Sequence, residues 1–273
     1  MNFSRRCVIV AGACGLIGKQ LANALLNEGR VFVVGIDIAE SALKHSNYKH
    51  FEGSVLDLGF LELVSAWIAE SDMELVGIVC ALAIVEQNNE NSALAQSLKY
   101  EFPEIQSRTA DILAAWASYP DDFQLRAFEV NCLGSNNVVR SQLRNLLRSR
   151  SASVVHIASQ YGVKAPRQSL FESSLKFRYK PSAYSLSKAS LVLLTRYQAS
   201  IFAGTEVRVN SLSPGNVENL HETAFIEKYV GSTWTKRMMK VDEVVGPIQF
   251  LLSESSSYVN GANLIVDGGW TQF

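Results

Sequence analysis

The sequence predicts a doubly wound parallel α/β sheet with helices on both faces, formed by a single domain over residues 1–273. Short, almost wholly apolar runs at 7–11, 31–36 and 75–81 alternate with longer amphipathic segments. Strands that are apolar at every position are buried on both faces, and their alternation with helices favours a parallel sheet. No linker rich in Pro, Gly or Ser divides the chain, and no internal repeat is evident.

The remaining segments continue this alternation. The first helix carries an apolar stripe and is predicted to end at Gly29, because glycine is the preferred residue just past a helix C-terminus. A weaker strand is predicted at 48–51, and further strands are predicted at 153–158, 206–212 and 263–266. Further helices are predicted at 57–69 and 182–202.

Composition excludes several classes of function. Hydrophobic residues make up 48% and charged residues 19% of the chain, which is typical of a folded globular protein. The net charge is −1, and without a Lys or Arg cluster we expect no nucleic-acid partner. No apolar run predicts a membrane span or a signal peptide, so we expect a cytoplasmic protein with no membrane partner. The histidines lack metal-ligand spacing, and no metal is expected. Four scattered cysteines are interpreted as buried thiols in a reducing compartment: Cys7, Cys14, Cys80 and Cys132.

Residues 86–122 interrupt the alternation and are interpreted as an insertion after the fourth strand. The segment is polar at its start and then predicted to be helical, with Ile105, Ile112, Leu113 and Trp116. Because ligands bind beyond the carboxyl ends of parallel strands, an insertion there could form a lid or a wall of a substrate site. A surface decoration or a subunit contact is an equally open interpretation.

A glycine-rich loop, Gly12-x-x-Gly15-x-x-Gly18, joins the first strand to the first helix. Glycine permits a tight turn and lets the backbone approach a pyrophosphate closely. The helix N-terminus adds free N–H groups and the positive end of the helix dipole. The spacing alone is a weak signal, but its position between a strand and a helix predicts a dinucleotide site.

Asp37 closes the second strand, about 20 residues after the loop, where such sites carry an acidic residue. A carboxylate there can accept hydrogen bonds from the adenosine ribose and would repel a 2′-phosphate. No Arg or Lys lies in the loop or directly after Asp37, so the sequence predicts NAD(H) in preference to NADP(H). The alternative is a glycine turn needed only for packing, with Asp37 capping a helix.

Tyr184 and Lys188 are four residues apart in a predicted helix and therefore share one face. An ammonium beside a phenol favours the phenolate and lowers the pKa of the tyrosine, which makes it a usable general acid or base. The same spacing is common on exposed helix surfaces, so it needs support. Ser159 and Pro214-Gly215 follow predicted strands, and Asn131 lies in a helical segment after the fourth strand. These are places where parallel sheets position ligand contacts.

In this combination the chain resembles the short-chain dehydrogenase/reductase family. The match extends over nearly the whole chain. The residues that carry it are the glycine loop, Asp37, Asn131, Ser159, Tyr184 with Lys188, Asn210 with Pro214-Gly215, and the C-terminal stretches 250–261 and 266–270. The ordered set is far more specific than any single motif in it.

The resemblance implies a Rossmann fold and hydride transfer between a nicotinamide cofactor and an alcohol or ketone. It implies that Tyr184 exchanges a proton with the substrate oxygen, that Ser159 hydrogen-bonds that oxygen, and that Lys188 binds the nicotinamide ribose. Asn131 is implied to hold a water that relays protons. The residues expected to contact the cofactor are Gly12, Cys14, Gly15, Leu16, Ile17, Gly18, Asp37, Ser54, Val55, Ala81, Tyr184, Lys188, Pro214, Gly215 and Val217.

The chain departs from the family pattern around the cofactor. The main branch spaces its glycines as Gly-x-x-x-Gly-x-Gly, and its Asn-Asn-Ala-Gly motif corresponds to 80–83 here, which reads Cys-Ala-Leu-Ala. Ser54 stands where the family has an aspartate near the adenine. These changes put cofactor affinity in doubt and leave the implied catalytic residues in place.

The segment between Ser159 and Tyr184 is longer than in compact members, and residues 160–181 are interpreted as a substrate loop. This pattern is similar to that of flagellin-modification and sugar-modifying oxidoreductases, which favours a small carbohydrate derivative as substrate. Candidate polar contacts are Gln160, Tyr161, Arg167 and Glu218, for each of which a plain loop role is the alternative.

The sequence therefore favours an NAD(H)-dependent oxidoreductase that interconverts a secondary alcohol and a ketone. The main rival is a non-catalytic dinucleotide-binding protein that acts as a redox sensor or assembly partner. A sugar-nucleotide epimerase or dehydratase is a third reading, against which the chain length argues. A homodimer or homotetramer is expected from the family and is compatible with the apolar stretch 191–194 and the aromatic C-terminus.

Overall fold

The computed structural model describes residues 3–84, 92–171 and 179–272. Seven strands form one sheet in the order β3-β2-β1-β4-β5-β6-β7, and every neighbouring pair is parallel. The strands are β1 Arg5–Ala11, β2 Phe32–Asp37, β3 Tyr48–Glu52, β4 Met73–Cys80, β5 Ala152–Ile157, β6 Val207–Pro214 and β7 Asn263–Val266. The order reverses between β1 and β4, which is where doubly wound sheets open a crevice for ligands.

Helices connect these strands and cover the sheet. They are α1 Leu16–Glu28, α2 Leu58–Glu70, α3 Ser92–Glu101, α4 Ser107–Ala117, α5 Asp121–Phe128, α6 Ser135–Ser141, α7 Leu143–Arg148, α8 Ser182–Ile201, α9 Thr223–Gly231 and α10 Val245–Leu252. A π-helical turn, Glu129–Gly134, joins α5 to α6. Each of these strand boundaries lies within two residues of the predicted one; β6 ends two residues later than predicted, at Pro214.

Two apolar layers enclose the sheet. Successive side chains of a strand point to opposite faces, so Cys7 and Ile9 pack with α2, α6 and α8, whereas Val8 and Val10 pack with α1 and α10. Because both faces are covered, the central strands are apolar at nearly every position. The prediction of a doubly wound parallel sheet with helices on both faces is confirmed.

Local signals explain where the first two helices begin and end. Gly29 follows α1 in the left-handed conformation with φ of 67°, and its N–H donates to the carbonyl of Leu26 at 3.0 Å. This is the helix end that the sequence predicts. Asp57 caps α2, and its carboxylate accepts the N–H of Phe60 at 3.0 Å.

A third apolar cluster lies among segments that follow the carboxyl ends of β5, β6 and β7. Its buried members are Tyr161, Leu170, Phe171, Phe225, Tyr229, Met238 and Trp270, and Tyr184 packs against them. We call this the aromatic lobe. Trp270 meets Tyr161 edge to face with ring centroids 5.3 Å apart, which joins the C-terminus to the turn after β5.

The cysteines differ in part from their predicted environment. All four are free, and Cys7 and Cys80 are buried as predicted. Cys14 and Cys132 are only partly buried, because one lies in the glycine loop and the other on the π-helical turn. Within the described ranges, none of the helices has the length and apolar character needed to cross a membrane.

Candidate active site

The glycine loop closes against the end of β4. Gly12 has a φ of +84°, and a Cβ there would lie 2.7 Å from the carbonyl oxygen of Ala81. Gly18 lies inside α1, where a Cβ would collide with the carbonyl oxygen of Gly12. Both positions therefore require glycine on steric grounds.

The start of α1 has the character of an anion site. Gly15 caps the helix without any side-chain hydrogen bond, and the first turn contains no acidic residue. Gly15 and Leu16 are exposed, and Cys14 and Ile17 are partly exposed. Free backbone N–H groups at a helix N-terminus fit a pyrophosphate, so the predicted loop residues suit a dinucleotide.

Asp37 lies at the end of β2 and supports the glycine loop directly. One carboxylate oxygen accepts the N–H of Cys14 at 2.9 Å, and the other accepts the N–H of Ala39 at 3.1 Å. The side chain is partly exposed, so lone pairs remain for a ligand beside the loop. The two interpretations of Asp37, capping and ribose binding, are thus compatible.

The other residues predicted to contact the adenine half lie beyond neighbouring strand ends. Ala81 donates its N–H to the carbonyl of Ala11 at 2.8 Å, which extends the pairing of β1 and β4. Ser54 follows β3 and accepts the N–H of Leu56 at 3.2 Å, while Val55 is buried. The hydroxyl of Ser54 thus accepts a hydrogen bond from within its own turn.

Three residues predicted for the nicotinamide side follow one another across the end of β6. Pro214 is the last residue of the strand, and Gly215 donates its N–H to the carbonyl of Val266 at 2.8 Å. Val217 forms an isolated parallel bridge with Met239. Backbone hydrogen bonds therefore fix this wall.

Ser159, Tyr184 and Lys188 converge beyond the ends of β4 and β5. Lys188 is 1% exposed, and its ammonium donates to the carbonyls of Leu82 at 2.9 Å and Ile157 at 2.7 Å. The ammonium lies 5.9 Å from the centre of the Tyr184 ring. The Ser159 side chain hydrogen-bonds the phenol of Tyr184. Lys188 is thus buried and Tyr184 half-buried, so the alternative of an exposed pair on a helix surface is wrong.

Burial dominates the electrostatics of this group. It raises the pKa of Tyr184, and the hydrogen bond from Ser159 opposes that change. Burial also lowers the pKa of Lys188 to about 7. The expectation that Lys188 lowers the pKa of Tyr184 is not met in the described structure, because the ammonium is directed to two backbone carbonyls.

Asn131 occupies the π-helical turn and is fully buried. Its carbonyl oxygen accepts the N–H of Ile84 at 2.8 Å, and its amide donates to the carbonyl of Ile84 at 3.0 Å and to Ser187 at 3.0 Å. The side chain thus pairs with the backbone just after β4, and its water-holding role stays a prediction. π-Turns of this kind often occur at functional sites.

The polar candidates of the substrate loop separate into two kinds. Gln160 and Tyr161 are buried, whereas Arg167 and Glu218 are exposed. Residues 172–178 of the same loop, with Glu172, lie outside the described part of the chain, as does the polar start of the insertion at 85–91.

A hydrogen-bonded chain links the two loops that flank the site. Tyr229 donates to the Gln160 side chain at 2.9 Å and accepts the N–H of Asn216 at 2.9 Å. The amide of Asn216 donates to the hydroxyl of Tyr161 at 3.3 Å. Sequence reasoning missed Tyr229 and Asn216, since only the proximity of loops distant in sequence reveals them.

Gly162 was also missed by sequence reasoning. A Cβ there would lie 2.7 Å from the backbone carbonyl carbon of Lys188, so glycine lets the turn after Ser159 contact α8 closely. The one sequence feature that could have indicated this close contact is the position of Gly162 in the turn after the strand. It has no distinctive spacing, and the partner backbone is remote in sequence.

The end of the insertion contacts the segment that precedes Tyr184. The hydroxyl of Tyr179 donates to the carbonyl of Ala115 on α4 at 3.2 Å. Ser182 lies 3.5 Å from the side-chain oxygen of Gln124 on α5, within hydrogen-bond distance. These helices therefore adjoin the substrate loop; whether they act as a lid stays a prediction.

A family profile described as "Enoyl-(Acyl carrier protein) reductase" matches residues 112–271. An NADH-dependent L-xylulose reductase of Ambrosiozyma monospora is 28% identical, over 100% of this chain and 97% of that protein. Post-translational flagellin modification protein A of Campylobacter coli is 26% identical, over 97% and 98%. A ribulose-forming D-arabinitol 2-dehydrogenase of Scheffersomyces stipitis is 29% identical, over 97% and 93%.

Solved structures show the same fold. A short-chain dehydrogenase from Leptospira borgpetersenii with bound NAD+ has a TM-score of 0.82 and 20% identity, and the match covers 98% of this chain and 94% of that one. With the profile match, these findings show that the chain belongs to the short-chain dehydrogenase/reductase family and is an oxidoreductase. The resemblance predicted from the sequence is confirmed.

Proposed function

We propose that this protein interconverts a secondary alcohol and a ketone by hydride transfer with NAD(H). The observation that carries the proposal is the convergence of Ser159, Tyr184 and Lys188 in one cluster beyond the ends of β4 and β5. The glycine loop ends at the neighbouring β1–β4 edge, and its steric requirements fit a dinucleotide. Relatives named as an NADH-dependent reductase and a polyol dehydrogenase support the same activity.

The chain's own residues have distinct roles in this proposal. The bound nicotinamide supplies the hydride or accepts it. Tyr184 gives a proton to the ketone oxygen during reduction and removes it from the alcohol during oxidation. Ser159 orients the substrate oxygen toward that phenol. Lys188 binds the nicotinamide ribose, and Asn131 supports proton relay while it fixes the backbone after β4.

We further propose that NAD(H) is preferred over NADP(H). The carboxylate of Asp37 stands beside the glycine loop, where it can accept hydrogen bonds from ribose hydroxyls and would repel a 2′-phosphate. Asp37→Ser removes the charge and keeps a hydroxyl. We expect the ratio of NADH to NADPH affinity, measured by fluorescence titration, to fall by about tenfold. An unchanged ratio would contradict the role of Asp37.

A sugar-type substrate is the favoured class. Two relatives are named for L-xylulose and D-arabinitol, which are small polyhydroxylated molecules. The turn after β5 also combines polar and aromatic side chains: the amide nitrogen of the buried Gln160 has no hydrogen-bond partner among the described residues, and Tyr161 follows it. Such a mixture suits a ring or chain that carries both C–H and O–H groups.

The rival function is a dinucleotide-binding protein without turnover. It would retain the glycine loop and Asp37, but it has no chemical need for a buried lysine that burial penalises. The cost of burying Lys188 therefore favours the enzyme.

The test has two stages. Purified protein is titrated with NADH and NADPH, and then assayed with a panel of ketopentoses, pentitols, hexoses and cyclic ketones. We expect tight NADH binding and turnover of at least one ketose–polyol pair. NADH binding without turnover of any panel member would favour the non-catalytic rival. Tight NADPH binding with no NADH binding would overturn the Asp37 argument.

We also propose a cytoplasmic homo-oligomer. Free, partly exposed Cys14 and Cys132 are compatible with a reducing compartment. Exposed apolar residues Leu193, Tyr197 and Ile201 on α8 are suited to pack against a second subunit. Analytical ultracentrifugation would distinguish a dimer or tetramer from a monomer, and a monomer would contradict the proposal.

A further inference from the structure

Lys180 precedes α8 and is held in place through its backbone. Its N–H donates to the side-chain oxygen of Gln168 at 2.8 Å, and its carbonyl accepts the amide of the same residue at 3.1 Å. This two-point contact fixes the backbone from which the lysine side chain extends. The direction of that side chain is therefore a property of the folded loop.

The ammonium of Lys180 lies over the ring of Tyr184, 4.2 Å from its centre, and 5.9 Å from the centre of the Tyr161 ring. Lys188 lies 5.9 Å from the centre of the Tyr184 ring. Both ammonium groups are within the range of a cation–π contact, and Lys180 is the nearer. The ring of Tyr184 is therefore contacted by two lysines, of which sequence reasoning identified one.

We propose that Lys180, the nearer of the two ammonium groups, stabilises the phenolate form of Tyr184. The proposal rests on the function proposed above, and it makes Lys180 a positioning residue that acts through Tyr184. A cation over a phenol is attracted to the ring in both protonation states. The attraction is stronger when the oxygen is negative, so the contact shifts the equilibrium toward the phenolate.

The need for a second cation follows from the environment of the first. Lys188 directs its ammonium to two carbonyls, and burial lowers its pKa to about 7, so its positive charge is incomplete at neutral pH. Burial lowers the pKa of Lys180 less, to about 8. Lys180 thus carries more of its charge at neutral pH and is closer to the ring.

Other titratable groups face this pair. From the turn after β5, Tyr161 faces Tyr184, and from α9, Tyr229 faces Tyr161. From the segment before α9, His221 faces Lys180, and Glu218 faces His221. Cys80 at the end of β4 faces Lys188. Within the described part of the chain, none of these contacts places a carboxylate directly against the Tyr184 ring, and Lys180 is the cation nearest to it.

Spectroscopic titration separates loss of a proton by Lys180 from loss of a proton by Tyr184. Loss from Lys180 leaves the phenol intact, whereas loss from Tyr184 gives a phenolate with its own ultraviolet absorbance. The measurement is the difference between proteins with and without Tyr184→Phe, made in the Lys180 and the Lys180→Met backgrounds. It uses the protein without substrate, so it is independent of turnover.

We expect the midpoint of phenolate formation at Tyr184 to lie at least about one pH unit higher in Lys180→Met than in the wild type, a tenfold change in phenolate fraction at a given pH. Lys180→Arg, which keeps the charge, should keep the wild-type midpoint. Lys228→Met, which removes a lysine of α9 that donates to Ser169, should also keep it. If Lys180→Met does not fold, Lys180→Gln removes the charge with a polar side chain.

Lys180→Met and Lys180→Gln should shift the acidic limb of the pH profile for alcohol oxidation upward by a similar amount, with kcat affected more than KM. A purely structural role of Lys180 would lower stability or activity without moving either midpoint. An unchanged midpoint in both Lys180→Met and Lys180→Gln overturns the proposal. Absence of turnover in the wild type, with the spectroscopic shift intact, would instead contradict the proposed function alone.

Discussion

The glycine loop and the proposed catalytic pocket around Ser159, Tyr184 and Lys188 are held by different kinds of interaction. Backbone sterics shape the loop, because a Cβ at Gly12 or at Gly18 would clash with a neighbouring backbone carbonyl. Buried side chains shape the pocket, where Lys188 bonds the carbonyls of Leu82 and Ile157, which are 106 and 31 residues away in sequence. A loop that is fixed by backbone sterics can be predicted from the spacing of its glycines. A pocket that is fixed by contacts between distant segments can be described only from the folded structure.

This difference predicts that chemistry and cofactor binding can be separated by mutation. Tyr184→Phe should lower kcat by roughly 10²–10⁴-fold, because it removes the proton donor. It should leave NADH affinity within about twofold, because the glycine loop is untouched. Tyr197→Phe on the exposed face of α8 is the matched control and should keep full activity. Equal losses of kcat in Tyr184→Phe and Tyr197→Phe would contradict the role of Tyr184. A loss of NADH affinity by Tyr184→Phe as large as its loss of kcat would show that chemistry and cofactor binding are not separable.

The converse variant disrupts the loop. Gly18→Ala places a methyl against the carbonyl of Gly12 and should weaken NADH binding at least about tenfold, with a loss of stability of a few kcal/mol from overpacking. Gly246→Ala in α10 meets nothing within 4 Å and should bind NADH normally. Fluorescence titration and thermal unfolding measure both effects. Normal binding by Gly18→Ala would show that the loop tolerates a side chain.

Buried charge gives the pocket a pH-dependent stability that the loop lacks. The pKa of Lys188 falls from 10.5 to about 7 on folding, so the unfolded chain binds more protons between these values. Wild-type stability should therefore rise with pH across this window, relative to Lys188→Met, by at most about 1.4 kcal/mol per pH unit. As pH falls through the folded pKa, that relative stability is lost.

Urea unfolding of both proteins at several pH values tests this slope. The exposed lysine variant Lys44→Met is the control and should follow the wild type. Parallel curves for wild type and Lys188→Met would mean that the buried ammonium does not titrate as described.

A smaller effect on stability is expected where the Asn131 side chain bonds the backbone of Ile84, just after β4. Asn131→Ala leaves the N–H and carbonyl of Ile84 without their side-chain partner, which should cost about 1–3 kcal/mol of unfolding free energy. Asn137→Ala, which loses one 3.3 Å hydrogen bond to Val55, should cost less than about 1 kcal/mol. A similar cost for both would argue against a special role of Asn131.

Much of the fold was predictable because its signals are local. The apolar run of β4 predicts burial on both faces, and Gly29 ends α1 in the conformation that glycine favours. Ser159, Tyr184 and Lys188 could be nominated because a parallel sheet brings its carboxyl ends to one edge. The steric need for Gly12 follows the same logic, since the turn after β1 must approach β4.

The rest depends on contacts between segments far apart in sequence. The pairing of Asn131 with Ile84 crosses 47 residues, and the bond between Tyr229 and Gln160 crosses 69. Lys180 lies over Tyr184 because the loop before α8 turns back on that helix. The hydrophobic periodicity of the sequence does not predict this contact. The raised pKa of Tyr184 could not be predicted either, because burial, the dominant cause, is a property of the assembled pocket.

Transfer of an isotopic label tests the central claim most directly. NADH that carries deuterium at the reactive nicotinamide carbon is incubated with the protein and a ketopentose, and the polyol product is examined by mass spectrometry. The account predicts one deuterium on the new carbinol carbon with the wild type, and transfer that is slower by roughly 10²–10⁴-fold with Tyr184→Phe. NADH binding by a folded wild-type protein, with no label transferred to any ketone of the panel, would contradict it.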